Sequence, residues 1–223
     1  MTTRKPGAID GAFAFDSDEA LKHLRASDAA LARLIETVGP FGMQLKHASS
    51  VFEVLLEAIV YQQLSGKAAA TIHSRVCALI PRTRGALAAA RLIDVPDEKL
   101  RGAGLSRAKL LAVRDLALAV ADRRIPTLAQ AQRMDDDALI ERLIEVRGVG
   151  RWTAQMVLMF RLGRPDVLPV DDLGIRKGFM IAFRKRAMPT REAIERHAVR
   201  WRPYRSVASW YLWRAAESGQ TVG

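Results

Sequence analysis

The chain has 223 residues, enough for one domain or two small lobes with a core that needs no covalent staples. Its single cysteine, Cys77, excludes an intramolecular disulfide, a four-cysteine zinc site and a four-cysteine iron–sulfur cluster. Against 24 Asp and Glu stand 35 Lys and Arg, a formal net charge of +11 that favours a polyanionic partner.

The opening "MTTRKPGAIDGAFAF" has no continuous apolar core of the kind a secretory signal needs, and reads as a flexible arm over 1–15. No later run is long enough to span a membrane, so a soluble, intracellular protein is expected, in the cytoplasm and nucleoid of a bacterium or the nucleus of a eukaryote. Apolar residues then recur at spacings of three and four in "ALKHLRASDAALARLIETVG", "FEVLLEAIVYQQL", "AKLLAVRDLALAVADR" and "DALIERLIEV", with almost no strand-like alternation. The chain is therefore predicted to be all-α. Breakers at Gly39-Pro40, Ser65-Gly66, Pro81, Pro96, Gly102 with Gly104, Pro126, Gly148 with Gly150, Gly163 to Pro169, Pro189 and Pro203 cut it into about ten helices. Two stretches, "LRGAGLSRAKLLAV" at 100–113 and "EVRGVGRWTAQMVL" at 145–158, each set a glycine-bracketed turn before an Arg-bearing amphipathic helix. Further on, ten Lys or Arg between Leu173 and Arg205 face only Glu192 and Glu195, which points to a phosphate-facing surface.

In "LIEVRGVGRWTAQ" one helix is expected to end near Val146 and another to begin near Arg151, with the two glycines taking up positive φ in a tight turn. The first N–H groups of the second helix have no partner within it, so the turn offers donors and the positive end of a helix dipole to an anion. Arg147 and Arg151 add charge. Twenty residues on, "LPVDDLGI" brings Asp171 and Asp172 to the start of a further helix. N-capping is one complete explanation for an acid there. The other is functional, because a carboxylate held ionised at a helix N-terminus can stabilise a positive charge that develops in a reaction.

With these residues in place, the chain resembles the helix-hairpin-helix DNA glycosylases over most of its length, about Phe52 to Trp213. The likeness is carried by "GVGRWTA", "LPVDDLGI", "AIVYQQLSGKAA" and "RWRPYRSVASWYLW", and is nearest to the alkylated-base branch typified by DNA-3-methyladenine glycosylase II. The resemblance implies a two-lobed fold without the additional N-terminal β-domain of some bacterial members. About 49–165 would form the central lobe ending in the hairpin, and about 16–48 with 166–223 the second. It implies Asp172 as the catalytic carboxylate, with Ile175 three residues on as its marker and Asp171 as the fallback. Strand-cutting members carry a Lys just after the hairpin; Trp152 stands there, implying a monofunctional enzyme. Trp152, Trp213 and Tyr61, with Met156 where relatives often have an aromatic, would line a base pocket suited to a cationic alkylated purine.

Gln63 or Leu64 would be the wedge that fills the gap left by the flipped base. Arg147, Gly148, Val149, Gly150, Arg151, Thr153 and Lys67 would hold DNA phosphates. No metal site is expected from His47 or His73, and no cofactor beyond an alkali-metal ion at the hairpin backbone, known in relatives. The partner would be duplex DNA containing damaged bases, bound by a monomer. The alternatives are a non-catalytic helix-hairpin-helix protein or a glycosylase for uracil, hypoxanthine or an oxidised purine.

Overall fold

Residues 13–81 and 83–219 are described in this computed structural model. Among them the chain is all helical, without a strand. In chain order the helices are α1 (Ser17–Ser27), α2 (Ala29–Val38), α3 (Val51–Tyr61), α4 (Gly66–Ala78), α5 (Gly85–Asp94), α6 (Asp97–Gly102), α7 (Arg107–Ala121), α8 (Leu128–Arg133), α9 (Asp136–Ile144), α10 (Arg151–Phe160), α11 (Leu173–Ala182), α12 (Arg191–Ala198) and α13 (Arg205–Ser218). A 3₁₀ turn at Val199–Trp201 leads into the last. The number exceeds the expected ten because Asp28 ends α1 and caps α2, and because the short helices α6 and α8 occupy stretches that read as connections. A capping box makes the latter possible: Thr127 Oγ1 accepts from Gln130 N at 3.3 Å while Gln130 Oε1 accepts from Thr127 N at 2.8 Å. No helix among the described residues is long and apolar enough to cross a membrane.

The arm expected at 1–15 lies outside the described residues over 1–12. Its last part is not loose. Phe13 and Phe15 sit 5.5 and 6.4 Å from the Phe41 ring, and Phe15 is 6.0 Å from Tyr204. Two aromatic side chains this close to an apolar cluster gain more from burial than the chain gains from freedom.

The chain divides into two units, His47–Val157 and the flanking segments up to Lys46 and from Leu158 onward. In the central unit α7 packs on α3 and α5, burying Val113, Leu116 and Ala117 with Leu55, Leu56, Ile59 and Leu92. Full burial of each large aliphatic side chain contributes about 1.5–3 kcal/mol. Arg114 stitches the α5–α6 connection to α7: Nη1 donates to the carbonyls of Leu92 (2.6 Å) and Ile93 (3.0 Å), and Nε and Nη2 to Asp97.

The flanking unit is built around α11 and α13, with α1, α2 and α12 against them. The two central helices approach so closely at Gly178 that a Cβ there would lie 1.9 Å from the Leu212 carbonyl oxygen. Asp28 is 6% exposed and joins three elements. Its Oδ1 caps α2 through Ala30 N and Leu31 N, and its Oδ2 accepts from Trp201 Nε1 at 3.0 Å and lies 2.6 Å from His197 Nε2. Burial alone would raise the pKa of this carboxyl; the bonds from Trp201, His197 and the Leu31 amide, with the His197 charge, outweigh it and leave it lowered.

Candidate functional site

The glycine hairpin joins α9 to α10 within the central unit. Gly148 has φ +80°, and a Cβ on it would meet the Ala112 Cβ of α7 at 3.3 Å, so both conformation and packing require glycine. Gly150 is different. Its φ is not positive, and a Cβ there would meet nothing within 4 Å. The expectation that both glycines serve the turn therefore holds only for Gly148, whereas Gly150 leaves open space in front of a helix N-terminus.

The donors of the turn are unequally placed. Arg147 N–H is taken by Asp115 Oδ2 at 2.7 Å, and Val149 N–H by the Val146 carbonyl at 3.0 Å. Val149 is also 4% exposed and Thr153 8%, so these two members of the expected phosphate set face inward, Val149 filling the turn and Thr153 the first turn of α10. The N–H groups of Gly148, Gly150 and Arg151 have no backbone acceptor among the described residues. Arg151 leans back toward α9, 3.4 Å from Asp137 and 3.5 Å from Glu141; such long, exposed pairs are weak and leave the guanidinium able to turn to an anion.

Beside the hairpin lies the turn that follows α3. Gln62 has φ −53° and ψ 132°, and Gln63 has φ +57°, the pattern of a type II turn, which normally places glycine or asparagine where Gln63 stands. A non-glycine residue held in the left-handed region costs about 1–2 kcal/mol. Gln63 and Leu64 are exposed at its tip, and Lys67 is exposed one residue into α4, whose N-cap is Ser65. Gln62 reaches across to the hairpin, Nε2 donating to the Gly148 carbonyl at 2.9 Å. Lys109 Nζ donates to the carbonyls of Val60 and Gln62, both at 2.7 Å, and desolvation by burial lowers its pKa. Neither Gln62 nor Lys109 figured in the sequence expectation. The doubled "QQ" was visible, but nothing in the spacing marks Lys109 as its partner.

Tyr61 is half-buried, its ring edge-on to His73 at 6.1 Å. On α10, Trp152 is 46% exposed, unusual for so large an apolar ring, and Met156 is partly buried.

The carboxylate pair lies in the flanking unit, on a connection that is tied down before it arrives. Asp166 receives Arg205 Nε at 2.6 Å and Arg202 Nη1 at 3.1 Å, while Ser206 Oγ accepts from Val167 N and donates to the Arg164 carbonyl. Asp172 is the N-cap of α11: Oδ1 accepts from Ile175 N at 3.0 Å and from Trp213 Nε1 at 2.9 Å. Two donors on one oxygen fix the plane of the carboxylate. Behind Trp213, the Phe160 ring stacks at 5.8 Å and 26°. Gly174 completes the arrangement, since a Cβ on it would be 2.8 Å from Trp213 and 2.9 Å from Asp172 Oδ1. Asp171 turns elsewhere and forms an ion pair with Arg191 Nε at 2.7 Å.

The basic run from Leu173 to Arg205 is only in part the expected phosphate face. Arg191 holds Asp171, Arg202 and Arg205 hold Asp166, and Arg176 donates to the Pro189 carbonyl at 3.1 Å. These cations serve internal acceptors, whereas Lys177, Lys185, Arg186 and Arg196 are exposed. Of the remaining tryptophans, Trp201 is fully buried on Asp28, and Trp210 packs edge-on against Phe41 at 5.2 Å.

Among the described residues no group of three or more His, Cys, Asp or Glu could hold a metal ion. Backbone oxygens are a separate matter. In the hairpin the Val146 carbonyl accepts from Val149 N and the Gly148 carbonyl from Gln62 Nε2; a carbonyl oxygen has two lone pairs, and such oxygens suit a hard alkali-metal ion.

Comparison with known proteins gives the family. The model of the HhH-GPD superfamily base excision DNA repair proteins matches residues 56–203. DNA-3-methyladenine glycosylase 1 of Schizosaccharomyces pombe is 35% identical over 200 residues, covering 87% of this chain and 86% of the yeast protein. A DNA-3-methyladenine glycosidase from Bacillus halodurans superposes with a TM-score of 0.82 at 33% identity, over 94% of this chain and 95% of that one. The S. pombe 3-methyladenine DNA glycosylase in complex with abasic DNA gives 0.76 at 33% identity, over 89% of this chain and 97% of that one. With its hairpin, capped carboxylate and matched length, the chain belongs to the HhH-GPD superfamily of base excision DNA repair proteins.

Proposed function

We propose that this protein is a monofunctional DNA N-glycosylase that flips alkylated purines of the 3-methyladenine kind out of duplex DNA and hydrolyses their glycosidic bond, leaving an abasic site. The observation that carries the reading is the Asp172 carboxylate, capped by Ile175 N and oriented by Trp213 Nε1. A cap alone needs only the backbone bond; the indole donor holds the group in one plane. An alkylated purine is already cationic, so the C1′–N bond breaks with its electron pair going to the base, which leaves neutral. The sugar becomes oxocarbenium-like and Asp172 stabilises that charge. Water then adds to C1′ and loses its proton. The likeness to 3-methyladenine glycosylases over most of the chain supports the substrate class.

The exposed Trp152 ring and the Trp213 ring supply faces for a cationic base, each contact being worth roughly 0.5–2 kcal/mol. Tyr61 and Met156 would add lining. Gln63 or Leu64 is the wedge: a strained, exposed turn tip is the sort of feature that persists where function holds it. Phosphate is held by the Gly148, Gly150 and Arg151 amides, the Arg147 and Arg151 side chains and Lys67. An alkali-metal ion on the Val146 or Gly148 carbonyls would add positive charge beside that phosphate. Trp152 in place of an amine nucleophile leaves water as the attacking group. The protein acts as a monomer.

The test is incubation with methylated duplex DNA. Free 3-methyladenine should appear, with strand breaks only after alkali. Tight binding with no release of any base would instead favour the non-catalytic alternative, and breaks without alkali would refute the monofunctional assignment.

A further inference from the structure

We propose that Lys109 and Gln62 clamp the turn that carries Gln63 to the glycine hairpin, so that the wedge and the phosphate grip act as one rigid piece during base flipping. The inference rests on the glycosylase reading above and names two positioning residues for it. Three observations within the central unit carry it.

First, the turn does little to hold itself. Its closing bond, Leu64 N to the Tyr61 carbonyl, is 3.4 Å long, and Gln63 occupies a left-handed conformation without being glycine. Second, the bonds that hold it come from outside. Lys109 Nζ takes the carbonyls on either side of Tyr61, those of Val60 and Gln62, at 2.7 Å each, and Gln62 Nε2 takes the Gly148 carbonyl at 2.9 Å. One residue, Gln62, thus bonds through its backbone to α7 and through its side chain to the hairpin.

Third, Lys109 stands at an unfavourable place for a cation. It is in the first turn of α7, at the positive end of the helix, its own N–H capped by Ser106. Desolvation opposes its charge, and no carboxylate pairs with it among the described residues. Among the described residues its charge is met by two carbonyls, that of Val60 in the last turn of α3 and that of Gln62 in the wedge turn. A wedge works by pushing against the base stack, and a push needs a counter-force. Bonds from α7 and from the hairpin already seated on phosphate supply it. A capping role limited to the end of α3 would need Val60 or Gln62 as acceptor, but would not need Gln62 to reach Gly148.

The variants are Lys109→Met, which keeps length without donors, Gln62→Leu, and Lys109→Arg as the conservative rescue. The probe is a duplex with 2-aminopurine beside a target base, whose fluorescence rises on unstacking, read with single-turnover base release and affinity for undamaged duplex. Bonds to a charged group support a loss of about 10–100-fold in the flipping step and release rate for Lys109→Met, with duplex affinity changed less than about threefold and Lys109→Arg recovering most of the rate. Gln62→Leu should lose less, and the double variant should match Lys109→Met alone because one clamp has been opened.

Amide hydrogen exchange reads the clamp without activity. In Lys109→Met, protection should fall both at 62–64 and at 148–151. Loss at 62–64 alone, or folded variants with parental flipping and release, would overturn the clamp. If the parent released no base, the glycosylase reading would fail while the exchange result still decided the clamp. Should Lys109→Met not fold, Gln62→Leu carries the same readouts.

Discussion

Around Asp172 the residues that matter most are the ones with least side chain. Gly174 leaves the space in which Trp213 and the carboxylate meet, and Gly178 lets α13 come close enough to bring Trp213 there. Their four-residue spacing in "LGIRKG" is legible as a pair of small residues on one helix face, but a reading centred on the acids passes over it. Asp172 itself was legible as a cap; that it also binds Trp213 was not, because forty-one residues separate the two. The hairpin glycines give the sharper residue-level prediction. Gly148→Ala should lower stability by about 1–3 kcal/mol, from its positive φ and the contact with Ala112. Gly150→Ala should leave the melting temperature unchanged and weaken duplex binding about tenfold or more, because the added methyl obstructs only what approaches from solvent. Calorimetry and a binding titration on both variants separate the two roles; unaltered binding in Gly150→Ala would remove the phosphate from that helix end.

Element boundaries followed Gly and Pro where those residues made them, as at the hairpin and before α4. They were missed where a polar side chain made them. Asp28 ends α1 and starts α2 within an unbroken apolar periodicity, and its partners His197 and Trp201 lie on elements far along the chain. Its anionic form is favoured in the folded state, so its contribution is present above the ordinary carboxylate range near pH 4 and is lost as pH falls through its lowered value. Thermal unfolding between pH 7 and pH 3 should show the parent losing stability across this acid range, and Asp28→Asn losing less because that titration is gone. At pH 7 Asp28→Ala should cost about 3 kcal/mol, a cap plus two donors left without an acceptor. A pH profile identical in parent and Asp28→Asn would assign the acid sensitivity elsewhere.

At the scale of the whole molecule, the net charge of +11 was read correctly as an excess and too simply as a surface. Four cations of the basic run in the flanking unit, Arg176, Arg191, Arg202 and Arg205, are committed to the Pro189 carbonyl, Asp171 and Asp166. Composition counts charges; only packing says which remain for phosphate. Duplex affinity should still fall with salt at a log–log slope of about −0.9 per phosphate contact, and Asp172→Asn, which touches no phosphate, should leave that slope nearly intact. In the proposed mechanism a capped and oriented carboxylate promotes departure of a damaged base. Its decisive test is single-turnover release of 3-methyladenine from methylated duplex DNA by the parent and by Asp172→Asn at matched, saturating occupancy. Asp172→Asn should bind like the parent and release base at least about a hundredfold more slowly. Equal rates in the two proteins would contradict it and leave Asp172 only as the cap of α11.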